Sequence, residues 1–164
     1  MKDVIIPVDF SETSLHAARY AAAMLSGRSD TRVILYHMFE EEAEADTTEQ
    51  YLQTLKTELE QKGVSNIECV KELGDDLIDN LGRLAYQKTA ELIVMGITEK
   101  EEWRQIFSGS KSLKMVQQNV CPVMIIPREA TYTGVSNIAL TSDFQDVENT
   151  TPVLAIKNVL ELFK

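Results

Sequence analysis

A chain of 164 residues can bury one real core without disulfide or metal staples, and 44% hydrophobic with 26% charged residues is ordinary for a globular domain. The formal charge of −10 argues against nucleic acid, which is held largely by Lys and Arg at phosphates, and against an anionic membrane surface. The N-terminal apolar run Val4-Ile5-Ile6-Pro7-Val8 is far too short for a signal peptide and no later run could span a bilayer, so a cytoplasmic location is expected.

In chain order, Val4 to Val8 predicts a buried strand, and Asp9-Phe10-Ser11-Glu12-Thr13 the turn into a helix with Ser11 as N-cap. Leu15, Ala18, Ala22 and Leu25 mark one face of that helix, which Gly27 ends. Arg32 to Met38 predicts the second strand, and the acidic stretch Glu40 to Asp46 a solvated loop. Leu52, Leu55 and Leu59 stripe a second helix stopped by Gly63, with Glu58 and Lys62 spaced to pair across one turn. Ile67 to Leu73 predicts a third strand, closed by Gly74. Asp75 and Asp76 suit the first turn of a third helix that buries Leu77, Ile78, Leu81, Leu84 and Ala85. Leu92 to Met95 predicts the fourth strand, Ser110 to Asn119 a fourth helix, and Pro122 to Ile126 the fifth strand.

Strands that read as continuous apolar runs, alternating with helices, predict an α/β fold: an open five-stranded parallel sheet with helices on both faces. Cys69 and Cys121 fall in expected strands and read as reduced, buried thiols. With only His16 and His37 to join them, no metal-ligand spacing appears, and both histidines read as structural.

The C-terminal part departs from the alternation. After a linker over 128–136, Asn137-Ile138-Ala139-Leu140-Thr141-Ser142-Asp143-Phe144 lines up with Asp3-Val4-Ile5-Ile6-Pro7-Val8-Asp9-Phe10. A helical segment opening at Thr151-Pro152 follows, with Pro in a first-turn position. The expectation is a complete domain over 1–127 and the start of a second, incomplete repeat, one strand plus one helix, over 137–164. Ile138, Leu140, Val153, Leu154, Ile156, Val159, Leu160 and Phe163 are too apolar to stay solvated, so this segment is expected to dock on the first domain or on a partner subunit.

In an open parallel sheet, ligands sit outside the carboxyl ends of the strands, where the strand order reverses. For an order 3-2-1-4-5, Asp9 and Gly96 would face that crevice, with Gly109 and Ser110 folding back over it. A glycine after a strand and a Gly-Ser at the mouth of a helix suit a phosphate site. Asp9 reads equally well as a turn residue at a strand–helix junction. Trp103, Ile106 and Phe107 read better as a lid anchored on the sheet edge than as a stacking platform for a base.

The spacing Gly96, two residues, Glu99, nine residues, Gly109-Ser110 resembles the Gly-x2-Gly-x9-Gly-Ser/Thr nucleotide loop of the universal stress protein family. Val-Ile-Ile-Pro-Val-Asp-Phe-Ser-Glu-Thr-Ser at the start resembles that family as well, as do His37, Glu91-Leu92-Ile93-Val94-Met95-Gly96 and Asn119-Val-Cys-Pro-Val-Met-Ile-Ile-Pro127. The resemblance spans residues 3–127, and the second start at 137 looks like tandem members with two such domains. It implies the adenine nucleotide alpha hydrolase-like fold with strand order 3-2-1-4-5, frequent dimers and, in one subclass, bound ATP. The family's adenine-contacting aspartate matches Asp9, and the residue bonding the adenine through its backbone matches Met38. Gly96, Gly109 and Ser110 match phosphate-loop positions, and Ser112 a further hydroxyl near the phosphates.

Glu99 departs from the pattern, standing where the second glycine belongs. At about 5 Å and an effective dielectric near 20, a like charge costs roughly 3 kcal/mol before solvent screening. Lys100, Arg104 and Lys111 offset part of it. Weak ATP or AMP binding is therefore expected, with magnesium only alongside nucleotide. No catalytic constellation is visible: Ser108-Gly-Ser-Lys111 lacks the companion motifs of a Ser-x-x-Lys enzyme, and Gly109-Ser-Lys-Ser is not a P-loop. The expected function is a stress-response module with a weakened adenine-nucleotide pocket. The alternative is a dimeric scaffold that binds no nucleotide. A homodimer joined through the fifth strand, Val123 to Ile126, is expected, by symmetric edge pairing or by close packing of the two fifth strands.

Overall fold

The computed structural model describes residues 1–97, 115, 120–141, 146 and 151–163. Strands β1 (Lys2–Pro7), β2 (Thr31–Phe39), β3 (Ile67–Leu73), β4 (Leu92–Ile97) and β5 (Val123–Pro127) form one sheet in the order β3-β2-β1-β4-β5. Every neighbouring pair is parallel, so all carboxyl ends lie on one edge of the molecule. Helices α1 (Glu12–Leu25), α2 (Ala45–Gln61) and α3 (Leu77–Lys88) join the strands. The expected fold class and strand order are those observed.

Alternation along β1 splits the core in two. Val4, Ile6 and Val8 pack with the alanine stripe of α1 (Ala17, Ala18, Ala21, Ala22) and with Leu52, Leu55 and Leu59 of α2. Ile5 and Ile34 face the other way, onto Ile78, Leu81 and Leu84 of α3 and onto fully buried Met115. Met115 is the only described residue of the expected fourth helix; the rest lies outside the described residues. Ser11 caps α1 as expected, accepting from the Ser14 amide; Asp76, expected in the first turn of α3, instead caps it, accepting from the amides of Ile78 and Asp79. Gly63, at φ +95°, carries the chain out of α2 in a conformation that other residues rarely adopt.

Three local expectations are corrected. The acidic stretch Glu40 to Asp46 is not a plain loop: Glu42–Glu44 form a 3-10 turn that runs into α2 at Ala45, closed by a reciprocal capping box between Glu41 and Glu44. Glu58 hydrogen-bonds Arg19 of α1 at 2.6 and 3.0 Å instead of pairing with Lys62, because a guanidinium offers a carboxylate two parallel donors. Residues 137–141 join no strand, so the expected strand from 137 is not formed there; 142–145 lie outside the described residues.

The helix near the C-terminus does form, over Val153–Glu161. It docks across the amino ends of the strands, with Leu162 1% exposed in the main core and Val159 and Phe163 packed beside it. Arg28 donates to the carbonyls of Leu162 and Glu161 at 3.1 and 2.8 Å, Lys2 pairs with Glu161, and Asn158 donates to Glu91. The linker returns over α1 through an edge-on Tyr20–Tyr132 contact and an Arg128–Glu12 pair. Ile138 and Leu140 do not share this burial and remain 59% and 70% exposed.

Candidate functional site

The carboxyl edge is shaped by the turn after β1. Asp9 Oδ1 accepts the Ser11 amide at 3.0 Å, and the Asp9 amide donates to Ser14 Oγ at 3.3 Å. Phe10 then takes φ +60°, a left-handed conformation uncommon for a bulky residue, which sets its ring against His37 at 4.7 Å and Tyr51 at 5.2 Å. His37 Nδ1 lies 2.7 Å from the carbonyl oxygen of Val8, which ties the end of β2 to the end of β1. Partial desolvation of the solvent-exposed Asp9 side chain works to raise its pKa, but hydrogen bonds to Ser11 and Ser14 outweigh that and hold it below the usual carboxylate range.

Beside this turn lies an open cleft of about 510 Å³, with Phe10, His37, Met38 and Tyr51 on its walls and Glu41 and Glu44 at its rim. The structure thus places Met38 in the cleft and Asp9 one residue from it. Gly96 is elsewhere, in β4 under the start of α1, where an added Cβ would lie 2.4 Å from the Thr13 carbonyl oxygen. Close helix–sheet packing accounts for that glycine without any ligand. Gly109, Ser110 and Ser112 lie outside the described residues, as do Glu99 and the Trp103 to Phe107 segment.

Sequence reasoning missed Phe10, Tyr51 and the paired Glu41 and Glu44 as parts of this edge. The spacing Glu41 to Glu44 is a capping-box spacing, so that part was readable; the inward turn of Phe10 was not. Elsewhere, burial raises the Cys69 thiol and pushes that of Cys121 up to about 11, so neither is a thiolate nucleophile at neutral pH. Burial and the Glu72 carboxylate likewise push the Tyr36 hydroxyl up, so it stays protonated and donates to Glu72 at 2.9 Å. Among the described residues no three His, Cys, Asp or Glu side chains are grouped to hold a metal ion. No described helix is long and apolar enough to cross a membrane.

The sequence matches the universal stress protein family over residues 1–127. The chain belongs to that family. Two universal stress proteins of Methanocaldococcus jannaschii are similar to it, at 24% identity over 77% of this chain and 82% of that protein, and at 22% over 78% and 96%. Among solved structures, a universal stress protein in complex with cAMP superposes with TM-score 0.65 at 20% identity, covering 78% of this chain and 98% of its own. The Archaeoglobus fulgidus universal stress protein in complex with dAMP gives TM-score 0.60 at 19% identity, covering 76% and 96%. These superpositions establish the adenine nucleotide alpha hydrolase-like fold of this universal stress protein.

Proposed function

We propose that this chain is a cytoplasmic stress-response module whose carboxyl-edge site binds adenine nucleotides weakly. The observation that carries this reading is the cleft at the ends of β1 and β2, where Met38 and an aromatic wall stand beside the Asp9 turn. Relatives of the same fold hold cAMP and dAMP. Asp9 and the Met38 backbone would take the base; Gly96, Gly109, Ser110 and Ser112 would frame the phosphates, and magnesium would enter only with them. Glu99 would oppose the outer phosphates. The working form is a homodimer joined along β5, the sheet edge whose Val123, Met124 and Ile125 are only partly buried.

Isothermal titration of the parent, Glu99→Gly and Asp9→Ala with ATP and AMP, at fixed salt and with magnesium, tests it. Glu99→Gly should tighten ATP more than AMP, and Asp9→Ala should weaken both about equally. A scaffold without nucleotide is favoured by the Asp9 carboxylate being committed to Ser11 and by Gly96 being explained through packing. No adenine-nucleotide binding by any of the three at millimolar concentration would select that scaffold.

A further inference from the structure

Val120, Ile138, Leu140, Val153, Leu154 and Leu160, six of the ten large apolar side chains that stand exposed among the described residues, belong to the amino end of the sheet or to the segment docked there. Apolar surface gathered in one place in this way marks a contact site. All but Val153 and Leu154 line one groove of about 770 Å³. Three pieces of chain build it: the approach to β5 ending at Val123, the stretch with Ile138 and Leu140, and the C-terminal helix. That helix has two apolar sides. Val159, Leu162 and Phe163 pack on the main core. Val153, Ile156 and Leu160 have the i, i+3, i+7 spacing that makes a stripe along a helix. Ile156 and Leu160 belong to the groove lining, and Val153, 68% exposed, carries the stripe beyond it.

We propose that this surface is a self-contact: two copies of the chain pack their C-terminal helices side by side and antiparallel across a two-fold axis, with Val153 of one copy set against Leu160 of the other. Stripe and groove share one surface, so the surface is complementary to itself. A small apolar ligand in the groove would leave Val153 bare, whereas a second copy covers stripe and groove together. Antiparallel packing follows from the same placement. It sets Val153, outside the groove, against Leu160, inside it; parallel packing would set each against itself. An i, i+3, i+7 stripe is also the pattern by which helices pack on helices. This contact lies at the amino end of the sheet and does not depend on any joining along β5.

Light scattering on the full chain across the micromolar range tests it, with Val153→Asp and Ile138→Asp beside the parent. The parent should exceed the mass of one chain. Val153→Asp should halve the mass or weaken association about tenfold or more, because a two-fold contact buries the unpaired carboxylate twice. The variant should keep its helix, since Val153 is exposed and an Asp in the first turn suits the helix dipole. Ile138→Asp, in the groove but off the helix, should weaken association in the same direction. A parent with the mass of one chain at every concentration overturns the contact. An assembled parent whose mass neither variant changes also overturns it, and leaves joining along β5 standing. If circular dichroism shows that Val153→Asp has lost helix, Ile138→Asp decides alone.

Discussion

The two ends of the sheet are built from opposite materials. At the carboxyl end, short polar side chains and carboxylates cap the backbone, and the cleft they leave is rimmed with negative charge. At the amino end, a docked helix covers the strands and leaves an apolar groove of about 770 Å³, with Val123, Ile138, Val159 and Phe163 in its lining. Val153 and Leu154 stand on the same helix at 68% and 71% exposure. At the carboxyl end the cleft itself is lined by directional, charged groups; at the amino end the Arg28, Lys2 and Asn158 bonds fasten the helix, and the groove that it leaves is apolar. Substitutions at the amino end should therefore act on stability, while those at the carboxyl end should also act on ligand.

The sharpest way to break this contrast is Leu162→Ala. Leu162 is almost fully buried beneath the C-terminal helix, so its truncation should cost about 2–5 kcal/mol, visible as a lowered midpoint in thermal denaturation. An unchanged midpoint would mean that the amino-end cover contributes nothing to the core. Next is Gly96→Ala, whose methyl would meet the Thr13 carbonyl at 2.4 Å and push the start of α1 outward. A loss of about 1–3 kcal/mol in urea titration is expected, as for overpacked cores. A neutral result would return Gly96 to the role of a ligand-facing glycine. The smallest effect is the pH dependence of Asp9. Its folded pKa is lowered, so its contribution is fully present above the unfolded carboxylate value and is lost as pH falls through the folded one. The parent should exceed Asp9→Asn by less than about 1 kcal/mol above pH 5, because the residue is exposed, and the gap should close below about pH 4. A gap that stays constant down to about pH 2 would show that the charge is not what the turn uses.

The strands are legible in the sequence because burial on both faces leaves an unbroken apolar run. The register, Val4 beside Val33 and Leu92, is not legible, because an unbroken apolar run looks the same when shifted by one residue. Ser11 is legible because a cap is a local device, settled within a few residues, and Asp76 reads only one position off, in the first turn that it caps. Residues whose partners are distant in sequence read poorly. Glu58 sits one helical turn from Lys62, yet Arg19, 39 residues away, holds it. Gly96 fits a phosphate-loop pattern, yet a helix formed 83 residues earlier than it in the chain requires the same glycine. The strand expected from 137 failed for a related reason: Ile138 and Leu140 have the strand composition, but no neighbouring strand hydrogen-bonds to them.

The clasp of Arg28 on the carbonyls of Glu161 and Leu162 bears on the order of events in time. A helix of nine residues is marginal by itself, and here its last turn is closed by a guanidinium 134 residues upstream of Leu162. The clasp joins the turn before β2 to the far end of the chain, a contact of very long sequence separation, so the segment is expected to join after the sheet has assembled. Contacts made after the barrier slow escape from the native state without hastening arrival. If the helix does join late, it acts as a latch on lifetime: Leu162→Ala is expected to speed unfolding far more than it slows refolding, as read from the two arms of a denaturant chevron.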